Sequence, residues 1–320
     1  SLKKDCFVSR PFEATRISSK NIIEKIMETS NFVLSGSADL GGSTGCFSKT
    51  MSAISAGDFS GNYIHYGIRE HAMGAIMNGV VSGKKMRCIA GTFLAFCDYM
   101  RPAVRMSALM NIPSIFIFTH DSVGVGEDGP THQPVEHLAS LRAIPNLNVF
   151  RPADAMETLE CWECALESTQ PSAIILTRQD VLSVRFCGRA NLCKTGAYFL
   201  YEDTSLSEKR VTLIATGSEI SIALNVKKML NDAEIAVNLV SMPCRKLFDE
   251  QPAEFRDKIL GESLRVGIEA SNGFGWEKYL GLAGLFFGVN NFGKSCSCLE
   301  NYKFFGLTSE NVYNEIMKRL

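Results

Sequence analysis

The chain has 320 residues, of which 46% are hydrophobic and 21% charged, with a net charge of −1. That length can bury one large core or two ordinary ones. The near-neutral balance excludes a general electrostatic grip on nucleic acid or an anionic membrane, leaving room only for a local basic pocket. The longest apolar stretch, LGLAGLFFGV at 280–289, is too short to span a bilayer, and SLKKDCFVSRPFEATR has no apolar signal-peptide core.

Strand-like and helix-like segments alternate along the chain. Helical spacing in ISSKNIIEKIMET (17–29) precedes a strand pattern in NFVLSG (31–36). EHAMGAIMNGVVSG (70–83) reads as a helix, MRCIAG (86–91) as a strand and MRPAVRMSALM (100–110) as a helix. SIFIFTH (114–120), LNVFRP (147–152) and SAIILTR (172–178) read as strands, with the helix DAMETLECWECALES (154–168) between the last two. A second series follows in VTLIATG (211–217), AVNLVSM (236–242) and RVGIEA (265–270), again with helices between. Near-continuous apolar strands separated by helices mean mainly parallel sheets covered on both faces. The fold class expected is therefore α/β with two domains. Residues 186–196 lack strong periodicity, so the domains are set at 1–188 and 189–320.

The chain holds 11 cysteines, an odd number, which points to reduced thiols rather than a disulfide framework. CWEC (161–164) lies where Leu159, Trp162 and Leu166 recur at helical spacing, and CSC (296–298) is too tight to complete a zinc site. Buried or half-buried free cysteine is the better reading of both, and no metal ligands are assigned in this chain.

In open α/β sheets ligands bind outside the carboxyl ends of the strands. Asp39, Phe93, His120 and Arg178 fall just there. The loop 119–137 adds His132 and His137, so it carries three of the five histidines, together with Asp121, Glu127 and Asp128. Its GVGEDG matches the dinucleotide pattern literally, but Pro130 and Pro134 follow where a helix should open, and two carboxylates would repel a pyrophosphate. Histidines and carboxylates suit sugar hydroxyls and proton transfer better, with a structural turn as the alternative. GSE (217–219) resembles an anion-binding turn, for which turn chemistry is the safer reading. Glu70 leads a helix of small and apolar residues. It is either a partner for the helix dipole or a carboxyl that shares a proton with a ligand nitrogen. Phe93, Phe96 and Tyr99, at i, i+3 and i+6, read as core more readily than as a ligand box.

Taken together, YGIREHAMGAIMNG (66–79), GTFLAFCDYMRPAVRMSALM (91–110), THDSVGVGEDGPTHQPVEHLASLR (119–142) and ILTRQD (175–180) resemble the transketolases. The resemblance continues through ATGSEISIAL, VSMPCRKLFDEQP, EASNGFGWEKYLG and FFGLTSENVYNEI. It implies thiamine diphosphate as cofactor and transfer of a two-carbon ketol unit from a ketose phosphate to an aldose phosphate, in the pentose phosphate pathway. It implies that Glu70 hydrogen-bonds the N1′ of the aminopyrimidine, that Phe93, Phe96 and Tyr99 surround that ring, and that Asp39 lies near the cofactor. By the same resemblance His132 and His120 handle protons at the reacting carbonyl, and Asp128 reads a sugar hydroxyl. Arg16, Ser43, His120 and Arg178 grip the substrate phosphate, a task that suits the planar fork of arginine. DLGGST departs from the family's proline and polar residue after Asp-Leu. Ala90 stands for a glycine, and TRQD for the commoner serine-arginine-glutamine-asparagine.

Transketolases hold the diphosphate and a divalent cation, Mg2+ or another, in an N-terminal domain with a Gly-Asp-Gly motif, and no GDG occurs in this sequence. The expectation is a portion of a longer protein, ahead of one subunit of a split enzyme. Either would be cytoplasmic, homodimeric and inactive without the diphosphate-binding domain. A non-catalytic dimerising module, deoxyxylulose-phosphate synthase and an oxo-acid dehydrogenase β subunit are the alternatives.

Overall fold

The computed structural model describes residues 10–320 except 84, 186, 187, 189, 206 and 208. Two sheets organise it. The first is wholly parallel and six-stranded. It is built from β2 (Val33–Ser37), β3 (Tyr63–His65), β4 (Arg87–Phe93), β5 (Ile115–Thr119), β6 (Asn148–Phe150) and β7 (Ser172–Leu176), in the order β3-β2-β4-β5-β7-β6. Because successive side chains on a strand face opposite ways, Phe116 and Phe118 enter one core layer and Ile115 and Ile117 the other. The first layer is covered by α3 (Glu70–Ser82), α4 (Cys97–Leu109) and α5 (His137–Arg142), the second by α1 (Thr15–Thr29) and α6 (Ala155–Glu167). Both faces are thus apolar, which is why these strands read as continuous hydrophobic runs.

The second sheet has the order β13-β12-β10-β11-β9. Strands β10 (Arg210–Ala215), β11 (Ala236–Ser241), β12 (Leu264–Ile268) and β13 (Leu285–Phe287) run parallel, and β9 (Tyr198–Tyr201) closes one edge antiparallel. Helices α7 (Ile220–Asp232) and α12 (Ser309–Met317) pack on one face, while α8 (Arg245–Asp249) and α9 (Ala253–Leu260) pack on the other. A two-residue ribbon, β1 (Phe12–Glu13) with β8 (Val181–Leu182), ties the start of the described chain to the end of the first unit. Residues 186, 187 and 189, inside the boundary expected from the sequence, lie outside the described residues.

Two expectations change. The helix read from residue 100 starts at Cys97. The aromatic stripe is not one helical core face: Phe93 ends β4 and is buried, Phe96 lies half-buried in a 3-10 turn and Tyr99 is 67% exposed. A strand, a turn and a helix share these residues, so one helical periodicity never applied. The cysteines behave as read: Cys161 and Cys164 are buried free thiols on α6. Burial pushes the Cys161 thiol pKa up, and such thiols are inert.

The two units share a buried polar seam. Glu157 on α6 accepts hydrogen bonds from Tyr198 Oη (2.7 Å) and Ser241 Oγ (2.5 Å) of the second unit, and from the Ala153 N–H (2.7 Å). Burial, then Asp154, pushes its pKa up from 4.5 to about 7. The folded chain therefore binds this proton more tightly than the unfolded one, so the contribution is complete below pH 4.5 and is lost as pH rises towards 7. Glu157→Gln, which mimics the protonated acid, is expected to flatten the stability profile over that window in urea unfolding series. An unchanged slope would show that Glu157 does not titrate there.

Candidate active site

Every element of the candidate site projects from the carboxyl edge of the first sheet. Asp39, two residues past β2, and His120, immediately past β5, adopt φ of 60° and 61°. Non-glycine residues rarely occupy this left-handed region, and such strain collects where a side chain must be aimed. His120 stacks on Phe93 with centroids 3.6 Å apart, and its Nδ1 lies 2.9 Å from Thr119 Oγ1. Phe93 and Phe96 are 5.7 Å apart, and His132 meets Phe96 edge-on at 5.2 Å. Thr131 Oγ1 lies 2.9 Å from His132 Nδ1.

Cations gather on the other side of His120. Arg16, on α1, donates to the Ser43 carbonyl at 3.1 Å, and its Nε is buried without a partner. Burial, then Arg178, lowers its pKa. Burial, then Arg16, Arg178 and His132, pushes the His120 pKa down to about 3. The imidazole is therefore neutral near pH 7, with one nitrogen able to donate and the other to accept.

Glu70 opens α3, and its side chain is buried. No hydrogen bond reaches its carboxylate among the described residues. Glu70 also lines an open cleft of about 690 Å³ with Ile68, Arg69, His71, Ala72, Phe96 and Tyr99. Phe96 thus belongs both to this cleft and to the aromatic cluster of Phe93, His120 and His132. Asp39 and Asp128 are exposed, and neither makes a side-chain hydrogen bond among the described residues. His137 stands apart, with Nε2 3.2 Å from Asp98 Oδ2, bracing α5 on α4.

The literal dinucleotide pattern forms no phosphate-binding helix. Residues 123–125 make a 3-10 turn, Gly126 and Gly129 take φ of 87° and 83°, and α5 begins only at His137. A Cβ at Gly129 would collide with Ser295 from the second unit. The GSE sequence forms a 3-10 turn, and its Glu219 carboxylate points inward to Arg151.

Several residues that shape the site carry no local signal. Arg151 is fully buried; its Nη2 donates to Asp121 Oδ2 at 2.7 Å and its Nη1 to Glu219 and to the Thr216 carbonyl at 2.9 Å. Gln133 Nε2 donates to the carbonyls of Gly126 (2.6 Å) and Lys294 (2.9 Å). Asn301 Nδ2 donates to those of Val123 (3.3 Å) and Lys294 (3.0 Å). The one hint of Arg151 in the sequence is a charged residue directly after an apolar strand.

The family model for the transketolase pyrimidine-binding domain matches residues 13–183, and that for the transketolase-like C-terminal domain matches 196–308. The chain belongs to the transketolase family. It is 48% identical to a transketolase of Cereibacter sphaeroides over 97% of its own length and 47% of the relative's. It superposes with a TM-score of 0.91, at 38% identity, on the Pichia stipitis transketolase in complex with sedoheptulose-7-phosphate, covering all of this chain and 48% of that one. A split-gene transketolase described as an inactive β4 tetramer gives a TM-score of 0.78 at 25% identity, covering 96% of this chain and 98% of that one. The chain thus spans about half the length of the curated relatives it matches, and nearly all of the split-gene chain.

The depressed His120 pKa has a measurable sign. Between the ordinary value of 6.5 and about 3 the unfolded chain takes up a proton that the folded one refuses, so this residue costs stability as pH falls. Ring NMR, with the signal assigned by His120→Gln, is expected to show a neutral imidazole down to pH 5. A midpoint near 6.5 would show that burial and the arginines do not depress it.

Proposed function

We propose that this chain supplies the pyrimidine-binding and sugar-phosphate-binding side of a transketolase active site. The observation that carries this reading is Glu70: a buried carboxylate that has no hydrogen-bond partner among the described residues, opening onto a cleft walled by Phe96 and Tyr99. A group so placed fits a flat heteroaromatic ring with a basic nitrogen, which is what the aminopyrimidine of thiamine diphosphate offers. When bound, thiamine diphosphate supplies the carbon nucleophile and electron sink for cleaving a ketose next to its carbonyl.

The protein's own residues have distinct tasks. Glu70 shares a proton with the ring nitrogen once the ring fills the cleft. Phe93, Phe96 and Tyr99 exclude water and orient the ring, and Asp39 stands beside the cofactor. Arg16 and Arg178, with Ser43 and His120, take the phosphate end of the sugar. The two guanidinium groups repel each other, Asp180 offsets this only in part, and among the described residues no carboxylate is hydrogen-bonded to either, so a dianion relieves the repulsion. His132 and the neutral His120 move protons at the sugar carbonyl and hydroxyl. Asp128 reads a hydroxyl of the substrate.

The diphosphate and its divalent cation, Mg2+ by this reading, are held by a domain outside this sequence, joined to it or carried by a separate subunit. The near-complete coverage of the split-gene chain supports the second arrangement as workable. We take the units to divide near residues 188 and 189. Ile68, Ile76, Met106, Leu109 and Met110 are exposed on or beside α3 and α4, which supports a homodimer contact there. The nine free cysteines described support a reducing, cytoplasmic setting. No helix among the described residues is long and apolar enough to cross a membrane.

In the full-length protein Glu70→Ala is expected to lower ketol transfer by about a hundredfold or more without changing the melting curve. Near-normal rates would remove Glu70 from this role. The 320-residue chain alone, given thiamine diphosphate and magnesium, is expected to show no ketol transfer. Robust turnover without added protein would sink the divided-site reading.

A further inference from the structure

The second sheet has a carboxyl edge of its own, and the site above leaves its chemistry unused. Glu269 follows β12, and Arg245 opens α8 just beyond β11. Glu269 is fully buried and accepts both arms of Arg142 at 2.8 and 2.7 Å. It also accepts from Arg245 Nη2 at 3.0 Å, Trp276 Nε1 at 2.9 Å, Ser271 Oγ at 2.7 Å and Thr216 Oγ1 at 2.6 Å. Burial opposes its charge, yet Arg142 and Arg245 hold its pKa well below the usual carboxylate value. One carboxylate therefore serves two guanidinium groups, and Arg142 takes the larger share.

Arg245 is left underpaired. Its side chain is only 7% exposed and lies 4.3 Å over the Trp276 ring. Its Nε is buried without a partner, and its Nη1 has no hydrogen-bond acceptor among the described residues. Burial, then Arg142, pushes its pKa down to about 10. Enclosed guanidinium groups ordinarily have acceptors for their donors, because a half-paired buried charge is costly. Here the acceptor side is a cavity. Arg245 lines a hollow of about 510 Å³ between the end of α5 and α8, and a Cβ at Gly275, in its wall, would lie 3.6 Å from Nη1. Ile144, Leu147 and Phe274 give the hollow an apolar side, and Lys246 and Lys278 stand at it too. Glu250 (2.6 Å from Lys246 Nζ) and Asp249 (2.8 Å from Lys278 Nζ) line the hollow as well, in exposed or half-exposed pairs, so a bound dianion shares the lysines with them.

We propose that this cavity binds a phosphate monoester carrying an apolar body, with the phosphate on Arg245, Lys246 and Lys278 and the body against Ile144, Leu147 and Phe274. The position is where open α/β sheets hold ligands, outside the carboxyl ends of parallel strands. The inference is independent of the transketolase reading, since its readout is binding and not turnover.

The test is titration of the full chain with phenyl phosphate and with inorganic phosphate, followed by tryptophan fluorescence and melting temperature. Trp276 lies under Arg245, and the other tryptophan, Trp162, is buried against Ser19. Phenyl phosphate is expected to give a saturable response, tighter than that of inorganic phosphate. Arg245→Met, which keeps an apolar stem over Trp276, is expected to weaken it by about tenfold or more. Lys278→Met provides the same comparison if Arg245→Met does not fold. Arg178→Met, which removes the cation assigned to the sugar-phosphate grip, is expected to leave the response in place. A chain that shows no saturable response would overturn the proposal. So would a response that survives Arg245→Met and disappears with Arg178→Met, since the phosphate would then sit at the first sheet.

Discussion

Arg151 sits at full burial between two carboxylates, and the placement of the candidate site depends on it. Asp121 belongs to the first unit and Glu219 to the second, so one guanidinium joins the two sheets. Burial opposes its charge, but Glu219, Asp121 and Glu269 more than offset that and hold its pKa well above the ordinary value. Its backbone is engaged as well: the Arg151 N–H donates to the Pro243 carbonyl at 2.8 Å and the Gly217 N–H to the Arg151 carbonyl at 3.2 Å. Gly217 has φ of 56°, and a Cβ there would come within 2.7 Å of the guanidinium, so glycine is required. Breaking such a buried pair by removing one partner costs about 3–5 kcal/mol. Asp121 is the neighbour of His120, so the interaction that joins the units also fixes the turn that aims the imidazole.

The second unit reaches the loop 119–137 by more than this one bond. Asn301 and Lys294 engage the carbonyl of Val123 and the side chain of Gln133, while Ser295 fills the space that Gly129 leaves. A polar loop without regular structure has backbone groups that need partners. Here those partners come from a different sheet. That gives the C-terminal unit a physical role in the site, as the wall against which the loop is held.

Charge is arranged oppositely at the two sheet edges. At the first, Arg16 and Arg178 lie close enough to repel each other and His120, and among the described residues the hydrogen-bond acceptor of Arg16 is a backbone carbonyl. The imidazole stays neutral because two cations and burial forbid a third charge. At the second edge the protein supplies Glu269 itself, which satisfies Arg142 and leaves Arg245 short of acceptors. Both edges therefore hold a guanidinium whose buried Nε has no acceptor among the described residues.

Much of the frame was readable before any coordinates. Apolar runs such as SIFIFTH and SAIILTR are strands because both faces of a parallel sheet are buried, and Glu70, His120 and His132 stood out by residue type and neighbourhood. Local periodicity could not reveal that Phe93, Phe96 and Tyr99 leave a strand, cross a turn and enter a helix. Nor could it show that β9 closes its sheet antiparallel, since a short strand's direction is set by the sheet it joins. The pairing of Arg151 with Glu219, 68 residues apart, and the sharing of Glu269 by two arginines are likewise tertiary facts. Sequence by itself determined which strands bury and which residue types stand at their ends, because those follow from side-chain polarity and spacing. Only the packed structure decided which charges meet, because partners in a buried network are chosen by geometry across elements far apart along the chain.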